Sequence, residues 1–586
     1  MNWNLTHLYQ SVEDWNSAYN HVEGIIDKMA EYKGKLANFT DFKEYYIMQK
    51  ELNVELLKVY QYAALTFDLN RKDTENGGRV QKMGYLVSKL GQVTSFESPE
   101  LLEIGKEKVM EFINSDEELN EFSFSIDKLF RQQEHVLDEK SEAIIANFSQ
   151  LSNQGSELYN AITVADKEDK EVTLKSGERV LITSGNYRSY LADLEDPEDR
   201  KTVFEAVFEQ YKNHKNVYAQ IYNTVLQKDV SVIKNRNYSS SLESYLFSNN
   251  IPLDVYYNLI EVAKNNTAPI KRYYQLRKEY LGLEKHHTYD RFIPLAESTS
   301  KYTYLEAKEL FFASIKHLNQ DFQEKAKTAL EDGFVDVYEQ DGKQTGAYSW
   351  GAINEHPYIL LNYDETLNNV FTLAHEAGHS MHSLFSAEAQ PIATQNYTIF
   401  VAEIASTFNE HNLLDYFIKN AKATKDDKIM LLQQSIDDIL GTFYRQTLFA
   451  AYELKAHELA ENGEPITYES LSQIMIDLYK EFYDIDITEE NGKEFVWAYI
   501  PHLFATPFYV YQYATSFAAS LRLYELVKED PKNIEKHINL LKSGGNDYPV
   551  NQVKKAGVDL TTKEPFMAVV NRLNALLDEL EVAINE

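Results

Sequence analysis

The chain has 586 residues, with 91 acidic against 58 basic side chains, a formal net charge of −33 and no cysteine. That length calls for two or more helical lobes rather than one simple core. The acidity argues against nucleic acid and membrane surfaces as partners, since both are held through cationic patches. The missing cysteines exclude disulfides, thiolate metal sites and a cysteine nucleophile.

The first twenty residues have neither a basic start nor a continuous apolar stretch. They do not read as a secretory leader, so a cytoplasmic location is expected. Beyond them, apolar residues recur at three- and four-residue spacing, as in Val54, Leu57, Tyr60, Ala63 and Ala64, and again in Val569, Leu573, Leu576, Leu577 and Leu580. The expected fold is therefore mainly α. Short β-branched runs flank Ser176 and Gly177 between Glu171 and Thr183 and predict a hairpin. A boundary is placed there, giving an N-terminal helical lobe over 1–185 and a larger domain over 186–586. A second mixed stretch, Gly333 to Tyr363, predicts a small sheet ending in a candidate edge strand at Tyr358–Tyr363. The apolar stretch from Phe508 to Ala519 is too short to span a membrane.

The chemistry concentrates in the segment Thr372 to Met381, which reads Thr-Leu-Ala-His-Glu-Ala-Gly-His-Ser-Met. In a helix expected over Leu367–Phe385, His375 and His379 stand four residues apart. They are offset by only about 40° around the axis and can reach one tetrahedral ion. Glu376 lies one step round, where it can face a metal-bound water as general base. With 15 histidines in the chain, chance alone yields such a pentapeptide in roughly one chain in twenty to thirty.

Catalytic zinc usually takes three protein ligands. A third histidine in the same motif would need glycine at 382 and histidine at 385, but the chain has His382 and Phe385. Among later acids, Glu388 is nine residues beyond His379 and close to Pro391, poorly placed to turn back. Glu403 is 24 residues beyond His379, which leaves room for a loop and an antiparallel return. Glu410, two turns further, reads either as an acceptor orienting a ligand histidine or as a solvated glutamate. His382 is expected either to pack or to support a ligand from behind, and His286 and His287 to lie in an exposed loop. An oxyanion at the reacting carbonyl needs a donor beyond the metal. The segment Ile500–Ala514 offers His502, Tyr509, Tyr511 and Tyr513, with Tyr509 and Tyr513 expected on one helix face.

These residues, together with Gly346–Ser349, His356–Tyr363, Phe400–Ser406, Phe508–Ala514, Ser543–Gly545 and Ala556–Asp559, resemble the oligoendopeptidase F branch of the thimet-oligopeptidase-like zinc metallopeptidases. The resemblance implies one zinc ion bound by His375, His379 and Glu403, with Glu376 as base. It also implies a tyrosine donor in the 509–513 segment, best matched by Tyr513, with His502 supporting substrate or oxyanion. The fold it implies is a mostly helical body in two lobes around a deep channel, and its substrates are short peptides; such a peptide is expected to add as a strand to Tyr358–Tyr363. Carboxypeptidase or dipeptidyl-carboxypeptidase action is the alternative, needing a cation such as Arg445 or Arg522 for the substrate carboxylate. A non-catalytic helical peptide-binding protein is the other.

Overall fold

A computed structural model describes residues 2–147, 151, 153–297, 299–351, 356–419 and 424–585. The fold is mainly α, with one two-stranded and one three-stranded sheet. Among the described residues, no helix is long and apolar enough to cross a membrane. Two compact units form, each from three chain segments: Met1–Glu134, Ser300–Lys419 and Ser520–Val558 in the first, and His135–Thr299, Asn420–Ala519 and Asp559–Glu586 in the second. The expected hairpin is present as β1 (Lys170–Thr173) and β2 (Arg179–Ile182), paired antiparallel within the second unit.

Helical spacing locates the elements well and the buried face less evenly. In the C-terminal helix Glu564–Asn585, all five stripe residues from Val569 to Leu580 are buried. In the helix Phe39–Leu69 the buried face instead carries Leu52, Val59, Tyr62, Ala63 and Leu65, while Tyr60 is exposed and rests on Trp350. That helix is apolar over much of its circumference, so periodicity alone does not choose its inner face.

The three-stranded sheet lies in the first unit and comprises β3 (Val335–Asp336), β4 (Tyr348–Trp350) and β5 (Tyr358–Leu360); residues 352–355, within the stretch read as a sheet, lie outside the described residues. Its order corrects one expectation. Strand β5 is central, parallel to β3 and antiparallel to β4, so the segment expected as an edge is paired on both sides. The physical reason is its unbroken burial: Tyr358, Ile359, Leu360 and Leu361 are each 0 % exposed, the mark of an interior strand. Strand β4 is the edge that remains near the histidine motif.

The N-terminus and a buried ion pair hold this sheet. Trp3 donates from its indole to the Ile359 carbonyl at 2.8 Å, and Asn4 N–H to the Gly333 carbonyl at 2.8 Å. Lys343, buried, pairs with Asp336 at 2.6 Å and donates to the carbonyls of Tyr338 and Leu361, each at 2.6 Å. The loop between β3 and β4 is thereby tied to the strand that precedes the motif helix.

Candidate metal centre

The motif helix runs from Leu367 to Ala389, opened by Thr366, whose side chain accepts from the Asn369 amide. Its partner helix runs from Ile399 to Lys419. Three contacts fix their relation: His375 meets Glu410, Gly378 abuts Ala405 and Ser406, and His379 faces Glu403. As numbers rise on one helix they fall on the other, so the two run antiparallel. Gly378 lets them approach closely, since a Cβ there would stand 2.6 Å from the Ala405 carbonyl oxygen and from Ser406 Cα.

That approach brings three ligand atoms into a near-equilateral triangle. His375 Nε2 and His379 Nε2 are 3.2 Å apart, and Glu403 Oε2 is 3.4 Å from the first and 3.5 Å from the second. For a tetrahedral ion with bonds of about 2.0–2.1 Å, the edges of the ligand tetrahedron are about 3.3–3.4 Å. The donors therefore fit one zinc-sized ion without rearrangement, and the same three residues stand out as a metal-ligating group.

The outer atoms of both rings are committed in a way that leaves the inner nitrogens bare. His375 Nδ1 donates to Glu410 Oε1 at 2.6 Å, and His379 bonds to the Ala402 backbone. Two bare nitrogens facing each other repel unless a cation lies between them. Without one, the rings divide a proton unequally. Burial opposes charge on His375, but its bond to Glu410 and the charges of Glu410, Glu376 and Glu403 hold its pKa up to about 9; burial and the His375 charge push His379 down to about 4. Two imidazoles, a carboxylate and a second carboxylate behind them form a donor set suited to a divalent ion.

Glu376 is 6 % exposed. Burial first, then the charges of Glu403 and Glu410, raise its pKa to about 7 against the opposing pull of His375. That lies in the range where a carboxylate can take and return a proton at neutral pH. The Ser349 backbone bonds to this carboxylate, and Ser349 Oγ lies 2.7 Å from Ser380 Oγ. Edge strand β4 therefore orients this carboxylate. Sequence reasoning did not assign Ser349, Gly378 or the Ala402 backbone; only the Gly-Ala-Tyr-Ser run at 346–349 hinted at the first.

The remaining expected residues fall as follows. His382 is buried, stacked on Tyr397 at 3.5 Å, and packs as expected. Glu388 pairs with Lys325 at 2.8 Å. His286 and His287 are half-buried rather than exposed, because aromatic neighbours take them in. His286 stacks on Tyr274 and His287 on Tyr289, and burial beside Arg277 lowers the His286 pKa to about 3.

His502, Tyr509 and Tyr513 belong to the second unit and cluster there, with ring centroids 5.5–6.2 Å apart. Tyr509 and Tyr513 do not share a helix face. Phe508 has φ 54°, and the helix begins only at Tyr511, so Tyr509 sits in the preceding turn. Tyr511 is buried against Tyr256. Arg522 is paired with Glu525 and Glu529 on its own helix, whereas Arg445 lines a cavity of the second unit.

Comparison with known proteins places this geometry. Residues 190–571 match the model of peptidase family M3, and residues 100–168 match that of oligopeptidase F. The chain is 36% identical to oligopeptidase PepF of Bacillus subtilis over 99% of this chain and 86% of that protein. It is 35% identical to an oligoendopeptidase F homolog of Borreliella burgdorferi over 99% and 97% of the two chains. The crystal structure of oligoendopeptidase-F from Enterococcus faecium superposes with a TM-score of 0.75 at 27% identity, over 98% of this chain and 99% of that one.

Proposed function

From the premise that the chain belongs to peptidase family M3, we propose that it is a zinc-dependent endopeptidase of short peptides, acting in the cytoplasm through His375, His379, Glu403 and Glu376. The observation that carries this reading is the triangle of ligand atoms at 3.2–3.5 Å with a buried glutamate beside it. A bound zinc supplies acidification of a water and polarisation of the scissile carbonyl.

The chain's own residues do the rest. Glu376, held by the Ser349 backbone, accepts the proton of the attacking water and delivers it to the departing amine nitrogen. Glu410 keeps the His375 ring in the tautomer that leaves Nε2 free. A peptide backbone has edge strand β4 to pair with, in place of the interior β5. Tyr513, with His502 and Tyr509 packed around it, is proposed as the donor to the carbonyl oxygen, on the family resemblance. The chain divides, on this reading, into a 1–185 lobe and a 186–586 catalytic domain, in keeping with an oligopeptidase F match that ends at residue 168 and a family M3 match that begins at residue 190.

Endopeptidase action is favoured over the carboxypeptidase alternative by relatives that are named oligoendopeptidase F; Arg522 is neutralised on its own helix, which leaves Arg445 as the cation that the alternative would need. The test is mass-spectrometric mapping of cleavage in a pool of end-blocked and free peptides, with and without chelator. Internal cuts in blocked peptides, abolished by chelator and restored by zinc, are expected. Cleavage confined to free C-termini, or insensitive to chelator, refutes the reading.

A further inference from the structure

In a chain carrying 33 excess negative charges, the second unit gathers four cations around one cavity of about 420 Å³: Arg188, Arg291, Arg445 and Lys493. They come from well-separated parts of the sequence. Arg188 lies in the short helix Tyr187–Asp193 and Arg291 in a one-turn helix, Asp290–Phe292. Arg445 directly follows a π-helical segment, Ile439–Tyr444, that lines the cavity with Leu440 and Gly441. A π-helical insertion costs regular hydrogen bonding and is commonly kept where it aims side chains at a functional site.

Lys493 is the telling member. Its side chain is 6 % exposed, and its ammonium sits 5.4–5.6 Å from the ring centroids of Phe204, Phe208 and Tyr479. Among the described residues no carboxylate lies within ion-pair distance of its ammonium, Glu490 acting on it from further off while bonded to Thr288 and His287, and none pairs with the guanidinium of Arg291 or Arg445 either. Elsewhere in this chain buried cations are matched, as Lys343 is by Asp336 and Arg200 by Asp290. A buried, unpaired lysine is costly unless something supplies the opposite charge. Burial and the charge of Arg445 hold the Lys493 ammonium below the usual lysine range. Tyr479, also buried, is shifted down because Lys493, Arg445 and Arg291 more than offset its burial.

We infer that this cavity is a binding site for a small phosphate-bearing anion, held by Lys493, Arg291 and Arg445 with the Tyr479 hydroxyl as a further donor. Two carboxylates, Asp437 and Asp438, also line the cavity, and the buried Glu490, though not in the lining, acts on Lys493, so the four cations leave an excess of one positive charge. An anion cancels that excess, and the fit of its oxygens to the cations decides which one. Guanidinium forks match phosphate oxygens and the ammonium serves as a point charge. The volume lies at the small end of the range for metabolite pockets.

The test uses the zinc-loaded full chain and inorganic phosphate, titrated calorimetrically and in thermal melts at an ionic strength held constant with sodium chloride. The expected result is saturable binding, and a melting temperature that rises with phosphate beyond the chloride control. Lys493→Met and Arg445→Met should each weaken binding at least about tenfold, the scale of one charge-assisted contact. Lys493→Met should melt no lower than the unsubstituted chain without phosphate, because it removes an unpaired buried charge. Three results overturn the inference. They are a melting shift equal to that of chloride, a phosphate response unchanged in both variants, as binding at the metal centre would give, and tighter binding of N-acetylalanine than of phosphate, which would assign the cavity to a peptide carboxylate.

Discussion

Replacing Gly378 with alanine tests whether the closeness of two helices makes the metal site. The added Cβ would stand 2.6 Å from both the Ala405 carbonyl oxygen and Ser406 Cα. Both are backbone atoms of the helix that carries Glu403, so neither can swing aside. Restoring ordinary contact of about 3.4 Å requires the helices to part by about 0.8 Å at this point. The edge between His375 and His379 lies within one helix and stays at 3.2 Å, but the two edges to Glu403, now 3.4 and 3.5 Å, lengthen to about 4.2–4.3 Å if the shift is transmitted in full. Tetrahedral zinc tolerates departures of about 0.2 Å in its bonds. Zinc affinity, measured by competition with a chromophoric chelator, should fall by at least about 10–100-fold. The overpacked interface should also cost about 1–3 kcal/mol in stability. Gly84→Ala is the control, since Gly84 is exposed within the helix Thr74–Val93 and a Cβ there meets nothing within 4 Å; it should leave zinc binding alone and raise stability by up to about 1 kcal/mol. A Gly378→Ala protein that binds zinc within twofold of the unsubstituted chain, with an unchanged melting temperature, would refute the argument.

Glu376→Gln should keep zinc, quantified by metal analysis, while kcat falls by about 10²–10⁴-fold; a fall below tenfold would remove Glu376 as the base. Glu410→Ala leaves the three ligands in place but frees the His375 ring, so zinc affinity should drop about 10–100-fold, and unchanged affinity would count against its orienting role. Lys343→Met strands Asp336 in the sheet beside the motif helix, and the denaturation midpoint should move by an amount equivalent to about 3–5 kcal/mol. Glu453 is buried, and burial raises its pKa from 4.5 to about 8. Its neutral form is thus the stable folded one, so its contribution is complete below pH 4.5 and is lost as pH rises through 8. Glu453→Gln retains an acceptor for the Phe508 amide and should flatten the fall in melting temperature between pH 5 and 8; an unaltered slope would exclude Glu453 as its source.

The residues of the candidate metal site differ in how far the local sequence decides their positions. The spacing of His375, Glu376 and His379 carries its meaning within one helix turn, where geometry depends on the local backbone alone. Glu403 was readable as a reasonable distance along the chain, and the antiparallel pairing of its helix with the motif helix turned that distance into a 3.4 Å contact. The expectation for β5 failed for the opposite reason. Its apolar run is equally consistent with an edge or an interior strand, and partners on both sides, one of them earlier by more than twenty residues, decided the matter.

By itself, the sequence determined the helical character, the hairpin, the motif helix and two of its ligands, because each depends on periodicity or turn chemistry within a few residues. Only the tertiary structure decided that Gly378 admits the partner helix, that Ser349 holds the Glu376 carboxylate, that Tyr509 stands outside the helix of Tyr513, and that Arg291, Arg445 and Lys493 share one cavity. Those relations join atoms far apart in the chain, and burial and charge act through space, without regard to sequence distance.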